Sequence, residues 1–203
     1  MALFTAAKGF KTLDFQSNNT TRKTVSVSGN TQRIKTGNQF WSFKIKSPLM
    51  SRGDFMADYS FIVQQDGQYG SFTVVPPEIG STRGTATNLV TVSDLTSTDP
   101  LYNPTAGSSN VGVTGVAGTL KKGDLIKFSN HDKVYMLTAD TDLGDSSVDV
   151  LSFYPALTTA VTSSHTVTYI NVPIKVYLDS NTQKYITQTD GKYKYELVLN
   201  EDI

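Results

Sequence analysis

The sequence predicts a mainly β protein: an antiparallel β-barrel or sandwich base carrying one α-helix, with a small β-barrel domain inserted into it. Three observations lead there. Thr, Ser, Val, Asn and Tyr are abundant while Glu is scarce, a composition that favours strands and turns. Helical spacing is convincing at one place only, residues 51–66. Short stretches of alternating character, separated by turn residues, fill most of the remainder.

The helix sits in a strand–helix–strand unit over residues 39–76. Trp41, Phe43 and Ile45 alternate with Ser42, Lys44 and Lys46, which puts rings on one face and polar groups on the other. Ser47 and Pro48 end this strand, since proline cannot donate to the ladder. Ser51 is a good N-cap, and Asp54 places a carboxylate near the free amides of the first turn. Phe55, Met56, Tyr59, Ile62 and Val63 form the expected apolar stripe. Asp66 and Gly67 stop the helix. A second strand over residues 69–75 follows, closed by Pro76 and Pro77. A lone amphipathic helix must cover a sheet or plug a barrel, because nothing else here can shield its stripe.

In chain order, residues 1–22 read as mostly irregular, with a short edge strand near Leu13, Asp14 and Phe15. Asn18 and Asn19 match a glycosylation sequon, read as chance without a secretory signal. Residues 24–28 and 31–34 read as strands around a turn at Gly29 and Asn30. From about residue 88 short strands crowd together: 89–92, 111–116, 125–128, 133–138, 148–154 and 166–170. A polar loop with two prolines spans 98–110, and turns are expected at 120–124, 130–132 and 142–147. From residue 172 the earlier character returns, with strands at 174–178 and 183–187. Asp190 and Gly191 then make a hairpin turn into a long terminal strand over 192–200. The expected organisation is a discontinuous base of residues 1–88 plus 172–203 and an inserted β-domain at 89–171.

The 203 residues carry 18 basic and 18 acidic side chains, and 38% of the residues are hydrophobic, enough for a packed core. A formally neutral chain is poorly suited to gripping a phosphate backbone, so no specific nucleic-acid binding is expected. Lys121 with Lys122, and Lys192 with Lys194, read as ordinary turn or strand-face charges. The absence of cysteine excludes disulfides, thiolate metal sites and cysteine nucleophiles. No run reaches the length of a membrane-spanning helix, so no membrane insertion is expected. Residues 1–5 have too short an apolar run for a signal peptide, which predicts synthesis in a cytoplasm without export by that route.

No catalytic, cofactor-binding or metal-binding residue emerges, and the sequence predicts neither an enzyme nor a cofactor. His131 and His165 fall in turns without a spaced partner. Glutamate occurs at Glu78, Glu196 and Glu201, with no spacing that recommends a catalytic pair. Asp99, Asp124, Asp132, Asp142, Asp145, Asp179 and Asp190 read as turn residues. Asp140, Asp142, Gly144 and Asp145 faintly resemble a calcium loop but lack its spaced oxygens and terminal glutamate. Gly112, Gly115 and Gly118 sit among β-branched residues, as bulges or turns do. Tyr135, Tyr154, Tyr169, Tyr177, Tyr185, Tyr193 and Tyr195 lie on strands. They could stack sugars or bases, but packing in a barrel or against a neighbouring subunit is the favoured reading.

The central unit also carries a resemblance. Gln39, Phe40, Trp41, Ser42 and Phe43 come first, then Pro48, Leu49, Met50, Ser51 and Arg52, then Phe55. Gly67, Gln68, Tyr69, Gly70, Ser71, Phe72, Thr73 and Val74 close the unit. The whole is similar to the distal tail (Dit-like, baseplate hub) proteins of tailed bacteriophages. In that family an aromatic strand precedes a P-x-M-[ST]-R lead-in to a helix and an RGQYGTFT strand, whose arginine is replaced here by Asp66. Asp190, Gly191, Lys192, Tyr193, Lys194, Tyr195 and Glu196 resemble the closing GLYSYE strand. Gly123, Asp124, Leu125, Ile126, Lys127 and Phe128, Lys133, Val134 and Tyr135, and Phe153, Tyr154, Pro155, Ala156 and Leu157 resemble a small β-domain of phage structural proteins.

The resemblance implies a structural virion protein that forms a ring, usually hexameric, at the distal end of the tail tube or in the baseplate hub. It implies contacts with copies of itself, with the tail-tube protein and with tip, hub or fibre proteins. The expected location is the phage tail of the virion, after assembly in the host cytoplasm. The family brings no catalytic residues. The alternative expectation is a tail-tube, adaptor or fibre-attachment protein whose insert binds a receptor or carbohydrate.

Overall fold

A computed structural model describes residues 2–77, 79–87, 89–93, 105–115, 117–144 and 148–203. The chain divides into two compact units: residues up to Phe72 with Val176–Ile203, and Thr73–Lys175. The mainly β class, a single helix among the described residues and a closed antiparallel barrel agree with the sequence expectation.

The first unit is organised on a seven-stranded sheet whose longest strand is β17 (Tyr193–Glu201). The sheet order is β1 (Leu3–Phe4), β6 (Ser71–Val74), β15 (Ile174–Leu178), β17, β5 (Phe40–Lys46) and β2 (Thr12–Asn18). A further strand, β16 (Tyr185–Thr187), pairs with the start of β17. Trp41, Phe43 and Ile45 of β5 and Tyr195, Leu197 and Leu199 of β17 are buried, as their alternation requires. Phe15 on β2 lies against Trp41 and Phe43, with ring centroids 4.6 and 5.0 Å apart.

Helix α1 (Arg52–Val63) starts where expected. The Ser51 hydroxyl accepts from the Asp54 amide at 3.3 Å and donates to the Asp54 carboxylate at 2.9 Å. Beyond its last turn Asp66 and Gly67 both take positive φ, which turns the chain toward β6. The buried stripe differs from the expected one. Phe55 and Ile62 are buried, but Met56 and Val63 are exposed and Asp58 takes a core position. Phe55 gathers Tyr59, Tyr185 and Tyr193 around it at 5.0–5.2 Å, so the helix meets the C-terminal strands through rings.

Residues 1–22 are the clearest correction. Instead of being mostly irregular, they supply β1 and all of β2, which pairs with β5 through seven register positions. Leu13 and Phe15 were the visible part of β2. Its remaining residues are polar because β2 is an edge strand with a wet outer face.

The second unit holds a closed barrel in the order β10 (Leu125–Phe128), β11 (Val134–Leu137), β13 (Asp149–Tyr154), β8 (Asn110–Thr114), β7 (Val90–Val92) and β14 (Thr166–Thr168), with β14 pairing back onto β10. Two short strands, β9 (Thr119–Leu120) and β12 (Thr141–Asp142), pair beside it and were not expected from the sequence. Their shortness leaves no alternation to read. Phe128, Tyr135 and Phe153 make a ring trio inside, with centroids 5.2–5.7 Å apart. Gly118 has φ +110°, and a Cβ there would fall 2.6 Å from the Ala86 Cα, so two backbones meet where no side chain fits. The expected loop at 98–110 and turn at 142–147 lie partly outside the described residues, as do Glu78, Asp99, Val116 and Asp145.

Candidate functional site

The part of the first unit least supported by its own core is a two-stranded hairpin. β3 (Thr21–Val25) and β4 (Thr31–Lys35) pair antiparallel, and every residue of both strands is exposed. Thr21, Thr24, Val25, Thr31 and Ile34 are residue types that favour strand, and β3 lies three residues earlier than the strand expected over 24–28. Gly29, at φ +82°, turns the chain, with its amide on the Ser26 carbonyl and the Ser26 amide on the Asn30 carbonyl. At the neck the Thr36 amide donates to the Thr20 carbonyl at 2.9 Å. The Thr36 hydroxyl also donates to the Thr20 carbonyl at 3.2 Å and the Thr20 hydroxyl to the Asn38 carbonyl at 3.3 Å, so the hairpin is held by its own ladder and neck bonds. An isolated two-stranded hairpin is at best marginally stable in water.

Its chemistry is one-sided. Residues 18–38 contain Arg22, Lys23, Arg33 and Lys35 and no carboxylate. Lys23 stands directly opposite Arg33, a like-charge pairing that weakens a free hairpin. Val25, Val27 and Ile34 are exposed on the same element. The sheet adds two open edges, at β1 and at β2. Exposed strand edges are templates for pairing with another chain.

In each unit a buried carboxylate ties together segments of that same unit, a role the sequence alone did not show. Asp58 accepts from the Ala7 amide at 3.0 Å and from the Tyr195 hydroxyl at 2.9 Å, tying the N-terminal segment, the helix and β17. Burial and the Asp58 carboxylate push the Tyr195 phenol far above its ordinary value. Asp124, in the second unit, accepts from the amides of Arg83 and Lys121, from the Arg83 guanidinium at 3.2 Å and from the Thr82 hydroxyl. A carboxylate within a helical stripe reads as solvated, and only the tertiary partner reveals otherwise.

His131, His165 and Asp140 have structural partners. His131 Nδ1 lies 2.7 Å from the Asn130 amide oxygen and Nε2 lies 2.7 Å from the Tyr135 hydroxyl, an arrangement that fits the neutral Nδ1–H tautomer. Burial, and then the Lys127 ammonium, lower its basicity. His165 Nδ1 accepts from the Thr162 amide within its own turn. Asp140 accepts from the Lys122 amide at 2.8 Å and the Lys121 ammonium at 3.1 Å, and these hold its carboxyl below the usual range. It closes a turn. Among the described residues no three His, Asp or Glu side chains converge as metal ligands.

Tyr135, Tyr169 and Tyr195 are buried, Tyr185 and Tyr193 belong to the cluster around Phe55, and Tyr154 is partly exposed. Glu201 is buried and accepts from the Trp41 amide, whereas Glu196 lies on the surface with Lys44 and Lys46. Among the described residues no helix is long and apolar enough to cross a membrane.

No curated protein matches the chain. Residues 103–172 match a family model described as distal tail protein pb9, B domain. The matched span takes in β8 to β14, that is, every barrel strand except β7. The barrel is therefore similar to a domain of a distal tail protein, in agreement with the resemblance carried by the motifs of the base. Together they support a phage distal tail protein with a structural role in the tail.

Proposed function

We propose that the chain is a ring-forming structural protein, hexameric in the assembled virion, at the distal end of the tail tube or in the baseplate hub, where it anchors tip or fibre proteins. The ring body is the base, residues 1–88 with 172–203, and the domain at 89–171 is carried on it. The observation that carries this reading is the hairpin of β3 and β4. All its strand residues are exposed, like charges oppose each other across it, and a neighbouring copy would supply the cover and counter-charge that the hairpin itself lacks. The domain match supports contact with other tail components.

The test is multi-angle light scattering with negative-stain microscopy on concentrated protein. Closed rings are expected, and a strict monomer at every concentration overturns the reading. Replacing residues 21–35 with a short Gly-Ser turn is expected to yield folded monomer.

A further inference from the structure

We infer that the outer face of the base sheet carries a docking trough for an acidic, extended polypeptide segment from another protein. The trough has a volume of about 780 Å³, within the range of about 300–1,000 Å³ typical of ligand sites. Its floor is the wet face of β17 and its neighbours. Tyr195 and Leu197 turn inward, so Lys194, Glu196 and Val198 turn outward. On β16, Ile186 stands opposite Lys194, with Lys184 two residues before it. On the other side Lys46 stands opposite Glu196, and the Lys11 amide donates a hydrogen bond to the Lys46 carbonyl.

Charge decides the sign of the occupant. Four lysines line the trough against one carboxylate, Glu196. That carboxylate is already engaged by Lys44 at 2.8 Å and Lys46 at 3.6 Å. Lys11, Lys184 and Lys194 have no ion-pair partner among the described residues. Three uncompensated ammonium groups in one concavity repel one another until an anion enters.

The floor decides its chemistry. Val198 and Ile186 are 40% and 56% exposed between the lysines, which offers apolar footing that a bare anion would not use. Same-face residues along a strand repeat at about 6.6 Å, the spacing of same-face side chains on an extended peptide. A segment alternating Asp or Glu with Val or Ile matches this pattern of charged and apolar positions. Among the described residues Tyr195 is the only aromatic one lining the trough, and its ring is buried, so the floor offers no platform for stacking bases or sugars.

This inference rests on the base alone and does not require a ring. The experiment is fluorescence anisotropy with a labelled Glu-Val-Asp-Val-Glu peptide, on the full chain and on the hairpin-replaced variant. Saturable binding to both is expected, weakening as salt rises. Lys184→Glu with Lys194→Glu should weaken it about tenfold or more, and Val198→Asp should weaken it too. Arg22→Glu with Arg33→Glu, on the hairpin, should leave it within about twofold, since those residues lie outside the trough. The inference is overturned by absence of saturable binding, by equal binding of a Lys-Val-Lys-Val-Lys peptide, or by indifference to the paired lysine reversal. Tighter binding of an oligothymidylate or a heparin fragment than of the peptide would overturn the choice of occupant.

Discussion

The barrel and the base solve the same problem in opposite ways. In the barrel each strand finds a neighbour on both sides, and the ring trio of Phe128, Tyr135 and Phe153 fills the interior. In the base the sheet stays open at β1 and β2, and a hairpin stands out with no buried residue in either strand. Closure removes edges, and an open sheet keeps them available. The difference teaches where association is to be sought: the barrel is built to be complete by itself, and the base is built to be completed.

The sharpest way to break this comparison is to damage the self-sufficient part. Phe128 is fully buried and touches three rings. Phe128→Ala should cost about 3–5 kcal/mol, the usual range for emptying an aromatic core position. Chemical denaturation followed by tyrosine fluorescence would read the loss. A cost near zero would mean that the barrel does not depend on its interior.

Next in size are two titratable groups, the Tyr195 phenol in the base and the His131 imidazole in the barrel, which give the units opposite pH sensitivities. Tyr195→Phe leaves Asp58 buried with the Ala7 amide alone and should cost about 1–3 kcal/mol. Because folding raises the Tyr195 phenol above its ordinary value of 10.0, the unfolded chain releases that proton first. Wild-type stability should therefore fall as pH rises above that value, and Tyr195→Phe should flatten part of the fall.

In the barrel the sign reverses. Folding lowers His131 below its ordinary 6.5 through burial and then Lys127. The unfolded chain therefore binds the proton first as pH falls. Stability should drop through the range just below 6.5, and His131→Gln should remove that component. Asp132 and His165 also act on His131, so the comparison is made at constant salt.

How much of this was legible follows the same division. The barrel strands could be read because each is a short apolar or β-branched run between turn residues, and the closing residues Phe128, Tyr135 and Phe153 lie within those spans. The strand–helix–strand unit could be read because Ser51 and Asp54 cap the helix locally. The N-terminal edge strand could be read only at Leu13, Asp14 and Phe15. Its pairing with β5 spans residues far apart in sequence, and its outer face is polar. Asp58 was missed for a similar reason: a buried carboxylate is defined by Ala7 and Tyr195, which the local pattern does not contain. The trough was hidden too, because Lys11, Lys46, Lys184 and Lys194 come from four separate strands or their approaches.

The smallest effect on the fold is expected where the effect on assembly should be largest. Lys23 and Arg33 face each other on the exposed hairpin. Lys23→Glu converts a like-charge pair into an opposite one, so the isolated chain should gain or lose less than about 0.5 kcal/mol. If a neighbouring copy supplies the missing counter-charge, the same change removes an attraction at every repeat of a ring. The expected outcome is an unchanged unfolding curve with a loss of rings by light scattering and microscopy. Rings that persist undiminished would show that closure runs through the open edges at β1 and β2 and leaves the hairpin's cations uninvolved. The barrel offers the control: Asp140→Asn alters a turn that its own lysines already neutralise, and it should leave assembly as it was.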